Sequence, residues 1–313
     1  MKPNLKTLLA TALSLTTLVS SAAFAAHELQ MPPNELGQVM VLMYHKIGEP
    51  EIQYVRTPEH FRQDLETLYS KGYYLINLVD LLDGKIDVPA GKTPVVLTFD
   101  DAAKGQFNKI NGAWDPNCAV GIIKEMHDKH PDFGMAGSFY LNADHHQSTQ
   151  WSGMLQEMVR MGFELGNHTV DHPNLKKISD EKVVAEIAGL QAWVLRNVPG
   201  YHLRTMAMPF GVYPHDIKLA EFGEAGGTSF HNEAMLEVGA NPGPSPYSVH
   251  FQPLHIPRIR GNDPYFGQYI EYFDKNPGKR FISDGNPNVI TVPAAMRNSV
   301  RADMAAKFHV QEY

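Results

Sequence analysis

The sequence predicts an α/β fold, a parallel sheet wrapped by helices and closed in the manner of a barrel. Short apolar or β-branched runs alternate with amphipathic stretches along most of the 313 residues. No internal repeat or low-complexity block interrupts them. What remains after an amino-terminal leader is long enough for one large core, and alternation of this kind at that length favours barrel closure.

The leader comes first. Lys2 and Lys6 precede an uncharged run from Leu8 to Val19, and Ala23-Phe24-Ala25 has the A-x-A form of a cleavage site. Residues 1–25 are therefore expected to be a signal peptide, and the chain to be exported to the periplasm or beyond the cell. Cleavage there leaves 288 of the 313 residues and, with two lysines gone, takes the formal charge from −7 to −9. An acidic exported chain is a poor partner for nucleic acid or anionic membrane surfaces. No later segment offers the ~18 uncharged apolar residues of a membrane span. Cys118 is the one cysteine, so no internal disulfide is possible.

Strands are predicted at 39–44, 94–99, 137–141, 163–166, 205–208 and 227–231. The first helix starts at Pro58, capped by Thr57, with Phe61, Leu65, Leu68 and Tyr69 as its buried stripe. Further helices are predicted over 116–130 and 151–161. Ser179 opens another, with Asp180 and Glu181 in its first turn and Val183, Ile187, Leu190 and Val194 facing inward. A last helix is expected over 214–225. From Gly239 the composition turns to Pro, Gly and Asn. The expected organisation is a single domain over 26–313, with its core at 38–262 and an irregular packed tail at 263–313.

In such folds the chemistry gathers at the carboxyl ends of the strands. "VVLTFDD" ends one strand in Asp100 and Asp101. Two adjacent carboxylates titrate together unless a cation lies between or beside them; a turn-forming, helix-capping pair is the competing reading. A second strand ends near Asn167 and is followed by His168 and His172. Spacing alone decides little, because among 15 histidines roughly 0.7 pairs fall by chance at any one separation. Position decides more, since these two share a rim with the aspartates. Two imidazoles and one carboxylate leave an open position on a tetrahedral Zn²⁺. The second carboxylate is then free to act as a base on a water at the metal.

Taken in order, "TFDD", "HTVDHPNL" and "MPFG" resemble the motifs of the polysaccharide deacetylases, carbohydrate esterase family 4, over Val39 to about Arg260. The resemblance implies a distorted (β/α) barrel of about seven parallel strands, the NodB-homology fold. It implies that Asp101, His168 and His172 bind a divalent metal, usually Zn²⁺, and that Asp100 is the general base. A backbone N–H of the loop carrying Pro209, Phe210 and Gly211 would stabilise the oxyanion. "VLMYH" is similar to a branch in which the acid-bearing strand stands at the amino terminus, which would make His45 the general acid; a capping or core histidine is the competing reading.

This chain departs from the family pattern in places. Ala207 stands where relatives carry an arginine that steadies the base. Arg258 or Arg260, in "IPRIRG", could supply a guanidinium instead, with Arg204 a weaker candidate and surface pairing the competing reading. Ala102 replaces the usual glycine after the aspartate pair, and the long loop to Cys118 carries Trp114, expected at the substrate rim. Asp144, His145 and His146 read as solvated or substrate-facing, not as ligands. The implied function is hydrolytic removal of N-acetyl groups from an N-acetylglucosamine-containing polysaccharide. The alternatives are the same metal site acting on another amide or ester, such as acetyl-xylan or a small metabolite, or a non-catalytic carbohydrate-binding relative.

Overall fold

The structure, a computed structural model, describes residues 31–143 and 149–313. The expected signal peptide at 1–25 and the residues Asp144, His145 and His146 lie outside the described residues. The sheet consists of β1 (Met40–Tyr44), β2 (Tyr73–Ile76), β3 (Thr93–Phe99), β4 (Ser138–Leu141), β5 (Glu164–Asn167), β6 (Thr205–Ala207), β7 (Ala234–Leu236) and β8 (Ile259–Arg260). Seven of these run in the order β7-β6-β5-β4-β3-β1-β8, and every pairing is parallel. β2 is an eighth strand: it pairs with the first half of β3, while β4 pairs with the last two residues of that strand.

The sheet curls until its ends approach. Leu236 of β7 bridges in parallel to Ile256, three residues before β8. The Ile256 N–H donates to the Met235 carbonyl and the Glu237 N–H to the Ile256 carbonyl, each at 2.9 Å. The outcome is the distorted barrel implied by the motifs.

Strands buried on both faces read as continuous apolar runs, which explains "MVLMY" and "TPVVLTF". Alternation then sorts the side chains. Met40, Leu42, Tyr44, Leu97 and Phe99 face outward onto the helices, whereas Val41, Val96, Tyr140, Ala207 and Leu236 belong to a second, interior cluster. The longer helices are α1 (Pro58–Ser70), α2 (Ala119–Lys129), α3 (Thr149–Arg160), α4 (Asp180–Asn197) and α5 (Tyr265–Lys275). Thr57 Oγ1 accepts the His60 N–H at 3.1 Å and Ser179 Oγ the Lys182 N–H at 3.4 Å, so both expected caps form. Among the described residues no helix is long and apolar enough to cross a membrane.

Three expectations need correction. The helix expected over 214–225 is a single turn, Lys218–Glu221; Phe222–Ala225 instead pairs antiparallel with Thr228–His231. Gly226 and Gly227, with φ of 58° and 74°, make the two-residue turn that closes a hairpin, and this local preference outweighs the helical pattern. The sheet strand is therefore Ala234–Leu236, not 227–231. The tail at 263–313 is also not irregular. α5 buries Phe266, Ile270 and Phe273, and Val289–Val292 pairs in parallel with His309–Glu312. Phe281, Ile290, Val292 and Met304 pack with Val39 and Leu36 at the start of β1, opposite the end that carries the aspartates.

Candidate metal centre and catalytic site

Each candidate residue is delivered by a strand end. His45 follows β1, Asp100 and Asp101 follow β3, His168 follows β5, Phe210 lies beyond β6, and Arg258 just precedes β8. A cavity of about 480 Å³ opens there, lined by His45, Tyr54, Asp100, Asp101, His168 and His172, with Lys46, Met208, Phe210 and Val238 around them. A larger cavity of about 600 Å³ holds His250 and His255 but no carboxylate among its described lining residues, so the acid–base chemistry belongs to the smaller one.

Asp101 Oδ1 lies 3.2 Å from His168 Nε2 and 3.5 Å from His172 Nε2. These three ligand atoms all fall within 4.8 Å of one another. The Ala207 carbonyl lies 2.7 Å from His168 Nδ1, and a carbonyl can only accept. That bond keeps a proton on Nδ1, so Nε2 is the nitrogen that a metal shared with Asp101 would take, and in the protonated ring Nε2 instead donates to Asp101; the carbonyl behind Nδ1 is the usual support for a metal-binding imidazole. Two nitrogens and one oxygen suit a borderline divalent ion with a position left open, so the donor set fits the implied metal.

The backbone here is held in conformations that side chains ordinarily avoid. Tyr54, Asp101, Ala102, Thr169, His172 and Phe210 are six of the seven non-glycine residues with positive φ among the described residues, and all line or adjoin this cavity. Such strain persists only where neighbours over-determine it. Thr169 Oγ1 accepts the His172 N–H at 3.0 Å, and Asn142 Nδ2 donates to the carbonyls of His168 and Thr169 at 2.5 and 3.1 Å.

Asp100 meets a different partner. Arg258 Nη1 donates to Asp100 Oδ1 and Nη2 to Oδ2, both at 2.7 Å, with the arginine fully buried. Its Nη1 also reaches Thr98 Oγ1 at 3.2 Å and its Nε the Glu237 carbonyl at 2.8 Å. Of the three candidate arginines, Arg258 is therefore the one on the aspartate. Arg260 lies over the rings of Tyr54 and Tyr265 at 5.6 and 5.2 Å, and Arg204 pairs with Asp83 and Glu233 at 2.7 and 2.6 Å.

Burial alone would push the Asp100 carboxyl up. The Arg258 guanidinium, helped by His168, overrides it and holds the group well below the usual carboxylate range. Asp101 is also lowered: burial opposes, but the His168 and His45 rings, when protonated, prevail. Burial works against a charged His168, yet Asp101 and Asp100 raise its pKa. His45 Nε2 lies 4.0 Å from both Asp100 Oδ2 and Asp101 Oδ2, and burial lowers its pKa despite the two carboxylates.

The remaining expectations divide. Phe210 is exposed, its ring 4.5 Å from that of His172, and it lines the cavity; Pro209 is buried beside it, and Gly211 packs against Val238. Trp114 is not at the rim. Asn111 and Gly112, both with positive φ, fold 109–114 into a small hairpin. Its indole packs against the outer core with the Lys109 ammonium 4.9 Å over the ring. Tyr54, whose ring lies 4.7 Å from that of His45, carries no motif and was not among the sequence-based candidates.

Residues 87–226 match the sequence model of the family described as Polysaccharide deacetylase. The chain is 25% identical over 156 residues to a chitooligosaccharide deacetylase of Bradyrhizobium sp., covering 49% of this chain and 62% of that one. It is 24% identical over 123 residues to a peptidoglycan-N-acetylglucosamine deacetylase of Bacillus cereus, covering 39% and 38%. Each match thus spans less than two thirds of the relative. The fold is similar to that of a Streptococcus pyogenes deacetylase solved in complex with acetate, with a TM-score of 0.56, 19% identity and coverage of 77% of this chain and 98% of that one. It is also similar to a polysaccharide deacetylase from Bacillus cereus, with a TM-score of 0.57, 20% identity and coverage of 75% and 68%.

Proposed function

We propose that this chain, which belongs to the polysaccharide deacetylase family, is an exported metal-dependent hydrolase that removes N-acetyl groups from an N-acetylglucosamine-containing glycan. One observation carries the reading: the two neighbouring aspartates are wired differently. Asp101 faces two imidazoles, and Asp100 faces a buried guanidinium. A ligand and a base are thereby separated within two residues.

Asp101, His168 and His172 would hold the metal, with Zn²⁺ the best match to the donors. When bound, such an ion polarises an acetyl carbonyl and acidifies a water. Asp100, kept ionised by Arg258, takes the proton from the attacking water. His45, 4.0 Å from Asp100, would give a proton to the departing amine, which leaves badly as an anion, and the two carboxylates beside it favour the charged ring against burial. The products are then acetate and the free amino sugar. Phe210 closes the cavity against His172 and presents an apolar face to the substrate. Export rests on the sequence of residues 1–25.

The test is acetate release from N-acetylglucosamine oligomers, measured beside acetyl-xylan and a small aryl acetate. Preference for the amide-bearing oligomers supports the proposal. Turnover of the esters without any release from the oligomers would refute it in favour of an esterase.

A further inference from the structure

Between His45 and α1 the chain makes an excursion, 48–56, that ends beside the cavity. Its base is fixed by charge. Arg56, buried, donates to Asp64 at 2.6 and 2.9 Å, to Glu51 at 2.7 Å and to Asp263 at 3.1 Å. Glu51 in turn accepts the Thr57 N–H at 3.1 Å. The Tyr54 carbonyl accepts the Lys46 N–H at 3.1 Å, one residue from His45. Tyr54 itself has φ of 92°, a conformation that needs such anchoring in a residue with a side chain.

This effort exposes apolar surface. Tyr54 on the excursion and Phe210 and Val238 elsewhere on the cavity wall are three of the eight exposed large hydrophobics among the described residues. Isolated exposed apolar groups need no explanation, but a cluster around one cavity marks a binding surface. The Arg260 guanidinium backs the Tyr54 ring at 5.6 Å, the His45 ring lies beside it at 4.7 Å and tilted, and Tyr265 flanks the guanidinium at 5.2 Å, while Tyr54 itself stays exposed. A continuous wall of flat groups thus leads away from the proposed acid.

Pyranose rings present C–H groups on their faces and hydroxyls on their edges, so a flat, braced aromatic ring complements one face. We infer that Tyr54 is the platform for the sugar residue adjoining the one that loses its acetyl group, and so makes turnover depend on the length of the glycan. The inference rests on the deacetylase reading of the cavity. Tyr54 acts by positioning.

The experiment measures kcat and KM on N-acetylglucosamine oligomers of one to five residues for the wild type, Tyr54→Ala and Tyr54→Phe, with thermal unfolding as the folding control. The wild type should gain kcat/KM with chain length. Tyr54→Ala should lose roughly tenfold on the pentamer, mainly in KM, and so flatten the length dependence. Tyr54→Phe should restore it. An equal loss on monomer and pentamer, or Phe no better than Ala, would overturn the platform. If the wild type releases no acetate from any oligomer, the deacetylase reading fails, and calorimetric binding of the pentamer then decides this inference separately. Weaker binding in Tyr54→Ala but not in Tyr54→Phe supports it, and absent or unchanged binding overturns it.

Discussion

Replacing Arg258 with methionine removes the guanidinium and keeps much of its apolar bulk. Four hydrogen bonds go: two to Asp100 at 2.7 Å, one to Thr98 and one to the Glu237 carbonyl. What remains is a carboxylate only 2% exposed and stripped of its counter-charge. Breaking one side of a buried pair costs about 3–5 kcal/mol, because the survivor stays desolvated. Asp100→Asn should cost a similar amount from the other side. The double variant buries neither charge, so it should be more stable than the sum of the singles by about 2–3 kcal/mol. Urea unfolding of the four proteins at pH 7 reads this coupling. Arg258→Lys should recover part of the stability, since a single ammonium cannot serve both carboxylate oxygens. Acetate release by Arg258→Met should fall about 10²-fold with loss of the oriented base. Additive single effects, or Arg258→Met with wild-type turnover, would refute the pairing argument.

Other perturbations separate the remaining roles. Asp101→Asn and His168→Ala should lose bound metal on dialysis against a mild chelator, whereas Asp100→Asn should keep it and lose turnover by about 10²-fold or more; equal metal loss in both aspartate variants would mean that both coordinate. His45→Ala should bind metal normally and lose far more activity on acetamides than on aryl acetates, whose phenolate leaves unaided; parallel losses would assign it a structural role. Burial lifts Glu35 to about 8, although the Thr291 N–H opposes. Its folded-state pKa exceeds the unfolded value, so its contribution is full at low pH and is lost as pH rises from about 4.5 through 8, by at most about 5 kcal/mol. Unfolding free energy should decline over that window and Glu35→Gln should flatten the decline; an unchanged slope would contradict the assignment.

What could be read beforehand follows from how local each signal is. β1 and β3 are apolar on both faces, and Thr57 and Ser179 bond within their own first turns, so short windows suffice. Asp101, His168 and His172 are legible because they lie within five residues of strand ends that the fold class makes reactive. Arg258 could not be singled out from Arg260 and Arg204. Its reach to Asp100 depends on β8 pairing with β1, which in turn pairs with β3, a closure that no window contains. Tyr54 was invisible for a related reason: the Arg56–Asp64 pair places it, and neither residue belongs to a motif. The stripe Phe266, Ile270 and Phe273 was hidden by a Pro-, Gly- and Asn-rich setting. Trp114 sits away from the rim because Asn111 and Gly112 close a hairpin inside what otherwise has the composition of an open loop.

The central claim is a single metal held by Asp101, His168 and His172 that serves the release of acetate from an N-acetylated glycan. Its most direct test is metal content and acetate release followed together on one preparation of the purified protein, before chelation, after it, and after Zn²⁺ is returned. The account predicts one equivalent of divalent metal per chain, loss of acetate release in step with loss of metal, and recovery of both together. Undiminished acetate release from metal-free protein, or full metal occupancy without release from any acetylated oligomer, would contradict it.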